Sequence, residues 1–223
     1  MKMCVDLYMS KDRHYRVLDL GSRTSAASHA THRPLLAGYD CDYVGTDVAK
    51  GRNVDLVMKQ PYRIPVKSDS FDIVMTNQVF EHIPFPWVSF LEVCRVVRPG
   101  GLIFLVAPSR GQRHGDVDCW RYYPDSMQAL AAYARVNLVE TYVDLPPSLP
   151  NGRPDYASLG QKWWGDAVGV FRKPGNYSKL VRLVREVNVW WGDRVGGIEH
   201  IPPPTIRPRR RQIGRKLAAT PHQ

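Results

Sequence analysis

The sequence predicts an α/β fold, a three-layer sandwich in which a mostly parallel sheet lies between helices. Three observations predict it. From residue 15 to 173, short apolar runs alternate with longer amphipathic stretches, the pattern of a parallel sheet covered on both faces. The first run closes on an acid and a glycine, Asp19-Leu20-Gly21-Ser22, and the second closes on Asp47. After the fifth run the alternation gives way to two strand candidates with no βα unit between them.

Taken in order, strands are predicted over 15–20, 42–47, 53–58, 71–76 and 102–107. Their apolar runs are short and often β-branched, as buried parallel strands require. Helices are predicted over 25–32, 84–97 and 124–135; in the second, Trp87, Phe90, Leu91, Cys94 and Val97 recur at helical spacing and Pro99-Gly100-Gly101 ends it. Residues 136–143 and 167–172 form a hairpin-like pair that closes the sheet, so the last strand runs antiparallel. A further helix over 176–192 ends in Trp190-Trp191-Gly192, and Trp163-Trp164 precedes the last strand. Each tryptophan pair buries a large apolar area, which favours core or dimer-interface packing over a substrate platform, and a homodimer is expected from them.

Composition narrows the classes. A hydrophobic fraction of 43% and a charged fraction of 23% are those of a soluble globular protein. No apolar run approaches the roughly 20 residues that span a bilayer. Asp6 stands where a signal peptide would begin its apolar region, so a cytoplasmic protein is expected. Cys4, Cys41, Cys94 and Cys119 are scattered without ligand spacing, which fits free thiols in a reducing compartment. Six of the ten net positive charges lie in residues 201–223, a Pro- and Arg-rich tail without acids. Residues 1–200 are therefore read as one domain and 201–223 as a disordered solubilising or weakly anion-binding tail, with a nucleic-acid arm as the lesser reading.

A strand that ends in an acid and a glycine and opens into a helix suits a nucleoside-bearing ligand. The glycine admits close backbone approach, and the helix N-terminus offers free N–H groups. Asp47 ends the second strand, where its carboxylate accepts ribose hydroxyls; the plainer alternative is a helix cap or turn. An NAD-dependent oxidoreductase shares such an acid but wants G-x-G-x-x-G, which Gly21-Ser22-Arg23 does not supply.

Five motifs occur in order: Val17-Leu18-Asp19-Leu20-Gly21, Tyr43-Val44-Gly45-Thr46-Asp47, Ile64 through Val74, Val79-Phe80-Glu81-His82-Ile83 and Val96-Val97-Arg98-Pro99-Gly100-Gly101. Over about residues 15–135 the series resembles class I S-adenosylmethionine-dependent methyltransferases of the methyltransferase type 11 group. The resemblance implies a Rossmann-like sandwich with a seven-stranded, mostly parallel sheet and an antiparallel last strand, and S-adenosyl-L-methionine as cofactor. By position it implies that Asp19 faces the cofactor's amino group, that Gly21 and Ser22 lie against its amino-acid tail and that Asp47 binds its ribose. Gln60 falls where the group usually has an acid for the adenine amine, and its amide oxygen can accept likewise. Pro61 and Tyr62 wall the adenine, and Asn77 and Gln78 lie beside the sulfonium. Arg23 and Ser25 stand where the group usually has glycines, so the first loop must take another path or turn Arg23 outward.

Methyl transfer from a sulfonium mainly needs positioning, and a hydroxyl acceptor also needs a base. Enzymes of base amines usually carry an Asn/Asp-Pro-Pro-aromatic tetrad after the fourth strand; Asn77-Gln78-Val79-Phe80 replaces it here, which argues against a nucleic-acid amine. The loop His114-Gly-Asp116-Val-Asp118-Cys-Trp120-Arg121-Tyr-Tyr-Pro124 resembles a stretch of type 11 enzymes from bacterial surface-polysaccharide and glycolipid gene sets. It makes His114 a general base, Asp118 its orienter or a sugar-hydroxyl acceptor, and Trp120 a sugar-stacking ring. The bland alternatives are that Trp120-Arg121 anchors the loop and that Asp116 and Asp118 cap turns. His82 is a second candidate base, or half of a structural Glu81-His82 pair. Asp116 and Asp118 could also hold Mg²⁺, although two carboxylates on one loop make a weak site. The expected reaction is O-methylation of a saccharide or glycoconjugate precursor. The rival readings are a small non-sugar or lipid-quinone acceptor, and a nucleic-acid-binding methyltransferase-like module using the tail.

Overall fold

The computed structural model describes residues 1–24, 31–145, 149–153, 155, 164–176 and 179–195. Most of the expected helix over 25–32, the residue Trp163 and the tail 201–223 lie outside the described residues. Seven strands form one sheet: β1 (Tyr15–Leu20), β2 (Cys41–Asp47), β3 (Leu56–Val57), β4 (Phe71–Asn77), β5 (Val97–Arg110), β6 (Asn137–Val143) and β7 (Gly165–Arg172), in the order β3-β2-β1-β4-β5-β7-β6. β1 pairs parallel with β2 and β4, β4 pairs parallel with β5, and β7 runs antiparallel to both β5 and β6. The mostly parallel Rossmann-like sheet and its antiparallel last strand are thus as the sequence indicates.

The pleat of β1 explains the layers. Leu18 and Leu20 point into one cluster with α2 (Pro86–Val96), α3 (Pro124–Ala134) and Val189 of α4 (Lys179–Val195). Tyr15 and Val17 point the other way, into a cluster with Cys4 and Val5 of α1 (Lys2–Tyr8), a seven-residue helix that the sequence patterning does not reveal. β4, at the centre, is buried from Phe71 to Thr76.

Two boundaries move for physical reasons. The expected third strand over 53–58 shrinks to Leu56–Val57, because Asn53 turns the chain in a left-handed conformation with φ +67°. Helix α2 ends at Val96 rather than at the glycines, and β5 starts at the next residue. Gly100, at φ +80°, and Gly101, whose absent Cβ would lie 2.7 Å from the Asp72 carbonyl, shape the start of the strand instead of capping the helix. The β4–β5 register shifts between Phe71 and Ile73, near the same point.

The helical layer is tied by a buried ionic cluster. Glu92 of α2 accepts from Arg95 Nε (2.9 Å), Arg95 Nη2 (2.6 Å), the Ile64 amide (2.8 Å) and Arg185 Nη1 of α4 (2.9 Å). Arg95 also donates to the Ile64 and Val66 carbonyls, so α2, α4 and the chain leading into β4 meet on one carboxylate. Glu92 and Arg185 are buried. Along α4, Leu180, Leu183, Val187, Trp190 and Trp191 are exposed, so this tryptophan pair is not core packing. Among the described residues, no helix is long and apolar enough to cross a membrane.

Replacing Glu92 by Gln removes the buried charge that Arg95 and Arg185 share. We expect a loss of about 3–5 kcal/mol of stability, read as a lower urea midpoint at an unchanged m-value.

Candidate active site

The carboxyl ends of β1, β2 and β4 open on a cleft of about 360 Å³, lined among others by Leu20, Gly21, Arg23, Asp47, Met58, Pro61, Gln78, Val79 and His82. It forms because parallel strands all release their last residues at the same edge. Gly21 follows β1 at φ +80°, and a Cβ there would lie 2.1 Å from Val79 Cγ2, so only glycine lets the turn pass this close to the chain beyond β4. Asp47 stands on the wall at the end of β2, accepting from the Ala49 amide (3.0 Å). Arg23 lies along the rim, with Nε 3.9 Å from Asp47 Oδ1 and its stem against Gly51, rather than pointing outward. Ser25 lies outside the described residues.

Other expected contacts are placed differently. Asp19 is 2% exposed, and its oxygens are taken by the Tyr43 hydroxyl (2.5 Å) and His32 Nδ1 (2.9 Å), so it braces the two strands from the face opposite Leu20. The Ser22 hydroxyl is buried and donates to the Asn53 carbonyl (2.8 Å). Tyr62 is a core residue stacked on Phe85, whereas Pro61 does line the cleft. Gln60 sits in the turn between Met58 and Pro61, which both reach the cleft. Asn77 ends β4 with a buried, unpartnered Oδ1. Gln78 takes φ +57° and donates to Asp166 Oδ1 (2.7 Å), leaving its own Oε1 buried without a partner. Asp166 also accepts from Trp164 Nε1 (3.1 Å), and burial raises its carboxyl above the ordinary value.

The loop after β5 packs against His82 at the edge of this cleft and holds the titratable groups. Asp118 accepts from Arg121 Nη1 (2.5 Å) and Nη2 (2.8 Å) and from the His114 amide (2.9 Å). Burial pushes its carboxyl up, but the two guanidinium bonds outweigh that and hold it at about 2. Trp120 donates from Nε1 to the Ile83 and Pro84 carbonyls, which pins the loop to the start of α2; it anchors as well as exposing a ring edge. Asp116 is exposed and Asp118 is committed to Arg121, so the two do not converge on a Mg²⁺ site.

His82 and His114 meet edge to face, with ring centres 4.7 Å apart. Both point Nε2 at Glu81 Oε1, each at 3.5 Å. His82 Nδ1 lies 2.5 Å from the Val117 carbonyl, and His114 Nδ1 faces Asp118 Oδ2 at 3.2 Å without a hydrogen-bonding angle. Glu81 is fully buried, neither of its oxygens accepts a hydrogen bond, and burial pushes its carboxyl to about 7. Burial and the neighbouring His82 lower the His114 imidazole below its usual value. Trp164 packs its ring against His114 at 4.9 Å.

The structure therefore brings His82, a separate candidate base in the sequence, together with His114 and Asp118. Sequence reasoning gave Glu81 only a structural part, took Trp164 for packing and missed Asp166. The available signals were slight: an acid set between Phe80 and Ile83, and an acid opening the apolar run of β7.

Comparison with known proteins agrees with this fold. Residues 18–105 match the family described as "Methyltransferase domain". The chain is 38% identical over 77 residues to an uncharacterized methyltransferase of Mycobacterium ulcerans, covering 32% of this chain and 29% of that protein. It is 33% identical over 90 residues to one of Mycobacterium tuberculosis, covering 38% of this chain and 34% of that protein. The chain thus spans about a third of the length of these relatives. Its fold resembles a putative methyltransferase of Bacillus halodurans, with a TM-score of 0.56 at 14% identity over 78% of this chain and 97% of that one. It also resembles phosphoethanolamine N-methyltransferase 2 of Haemonchus contortus in complex with S-adenosyl-L-methionine, with a TM-score of 0.52 at 13% identity over 76% of this chain and 51% of that one. The match over residues 18–105, the sheet order and the cleft at its carboxyl edge support a class I S-adenosylmethionine-dependent methyltransferase domain.

Proposed function

We propose that the chain transfers a methyl group from S-adenosylmethionine to a hydroxyl, with a saccharide or glycoconjugate precursor as acceptor. One observation carries the choice of a hydroxyl: the cluster of Glu81, His82 and His114 adjoins the donor cleft through His82. A hydroxyl must lose its proton as it gains the methyl group, and this cluster stands where that oxygen would arrive.

The cleft fits the donor. Its volume is that of a small-molecule site, the glycine turn clears room beside Val79, and the Asp47 carboxylate on its wall suits ribose hydroxyls. When bound, S-adenosylmethionine supplies a methyl carbon that bonds the acceptor oxygen as its bond to sulfur breaks toward sulfur. The chain's own residues position and exclude water. Gly21 and Val79 narrow the cleft around the donor, and the contact of Asp118 with Arg121 and the His114 amide holds His114 beside His82 at the cleft's edge. The Trp164 face beside His114 suits the apolar side of a sugar ring, and its neighbours Asp166 and Gln78 offer polar groups for sugar hydroxyls.

A second reading, a less polar phenol or lipid precursor, draws on an apolar groove lined by Pro86, Trp87, Trp120, Leu130 and Tyr133.

Three outcomes are expected. Asp47→Ala weakens S-adenosylhomocysteine binding roughly ten- to a hundredfold in calorimetry, as loss of a charged acceptor should. His114→Ala lowers kcat by about 10²- to 10⁴-fold while leaving S-adenosylhomocysteine affinity unchanged. In a panel of monosaccharides, oligosaccharides, phenols and amines, methyl acceptance goes to sugar hydroxyls; acceptance by phenols alone would select the second reading, and acceptance by amines alone would overturn the first.

A further inference from the structure

Glu81 needs an explanation that methyl transfer does not give. Its carboxylate is fully buried, and both oxygens lack a hydrogen-bond donor. Leaving a carboxylate so exposed to a dry interior is costly unless a cation or proton meets it.

The histidines point to the cation. The Val117 carbonyl can only accept, so His82 carries its hydrogen on Nδ1 and turns the lone pair of Nε2 toward Glu81 Oε1. His114 has Asp118 behind Nδ1, and that carboxylate is held ionised by Arg121, so its Nε2 lone pair also faces Glu81 Oε1. The two Nε2 atoms and a Glu81 oxygen thus lie together as three potential ligand atoms. Ligand atoms about 2.1 Å from a tetrahedral zinc ion stand roughly 3.4 Å apart. Both Nε2–Oε1 separations are 3.5 Å, and the three ligand atoms lie within 4.8 Å of one another. The outer partners, a carbonyl behind one imidazole and a carboxylate behind the other, are those that orient metal-bound histidines.

We propose that Glu81, His82 and His114 bind one divalent transition-metal ion of the zinc type, with a fourth position open toward the cleft. Two imidazoles and one carboxylate suit zinc and its neighbours; Mg²⁺ and Ca²⁺ prefer oxygen alone. His82 also lines the cleft, so the acceptor hydroxyl of the proposed reaction would reach that fourth position and become more acidic there. That last role rests on the hydroxyl-transfer reading; the binding site does not.

The test uses the full chain, stripped with chelator and dialysed, without methyl donor or acceptor. Zn²⁺ is titrated by calorimetry and retained metal is measured by elemental analysis, with Mg²⁺ as comparison. We expect one Zn²⁺ per chain, a rise in melting temperature, and no equivalent response to Mg²⁺. Glu81→Gln and His114→Ala each weaken this binding by more than about tenfold. His14→Ala, at an exposed histidine of another face, leaves it unchanged. Circular dichroism of each variant shows whether it is folded. Absence of stoichiometric Zn²⁺ binding, or binding that survives both Glu81→Gln and His114→Ala in folded protein, overturns the proposal and leaves a shared proton as the cluster's cation. Because no methyl transfer enters the measurement, failure here and failure of the hydroxyl reading are read separately.

Discussion

Three parallel strands, β1, β2 and β4, end at the same edge of the sheet, and each must dispose there of backbone groups its neighbours no longer pair. The chain solves this with tight turns. Gly21 and Ser22 both donate to the Thr46 carbonyl, and the Gln78 amide donates to the Val106 carbonyl. These bonds fix the glycine turn against Val79 and force Gln78 into a left-handed conformation. The cleft is the space left between those turns, so its shape follows from strand pairing more than from the side chains around it.

A second layer of order comes from charge. The loop after β5 has little apolar surface of its own, and Arg121 organises it by gripping Asp118 with two bonds and the Gln112 carbonyl with a third. The Cys119 amide then donates to the Glu81 carbonyl, and Trp120 closes on Ile83 and Pro84. In this way an ionic contact within the loop sets the distance between His114 and a carboxylate on another segment.

Much of this was legible in the sequence. Apolar runs with a β-branched bias located six of the strands to within a few residues, because parallel strands buried on both faces carry a strong signal. Asp47, Gln78, His82, His114 and Asp118 were named as site residues from their position after strands or in the one polar loop, and they line the cleft or the cluster beside it. Asp19, Ser22 and Tyr62 were assigned to the ligand; the structure places Asp19 and Ser22 in buried hydrogen bonds and Tyr62 in the core. One residue's turn of the backbone decides which face a side chain takes, and sequence spacing does not report it. Asp166 and Trp164 were not placed beside the cleft because β7 is inserted between β5 and β6, which brings its first residues beside Gln78 across 88 positions. Helix α1 was missed because a seven-residue helix carries too few turns for a periodic pattern.

The passage of α2 into β5 without a connecting loop has a mechanical consequence. Pro86 begins the helix beside the segment that Trp120 grips, and Arg110 ends the strand where the His114 loop begins. Helix and strand share one buried body, so they should open to solvent only together, as a single cooperative unit of high protection against amide exchange. No hinge lies between the two walls that flank the cluster. Among the described residues around the cluster, motion is therefore expected within residues 111–123, where the loop can part from this frame.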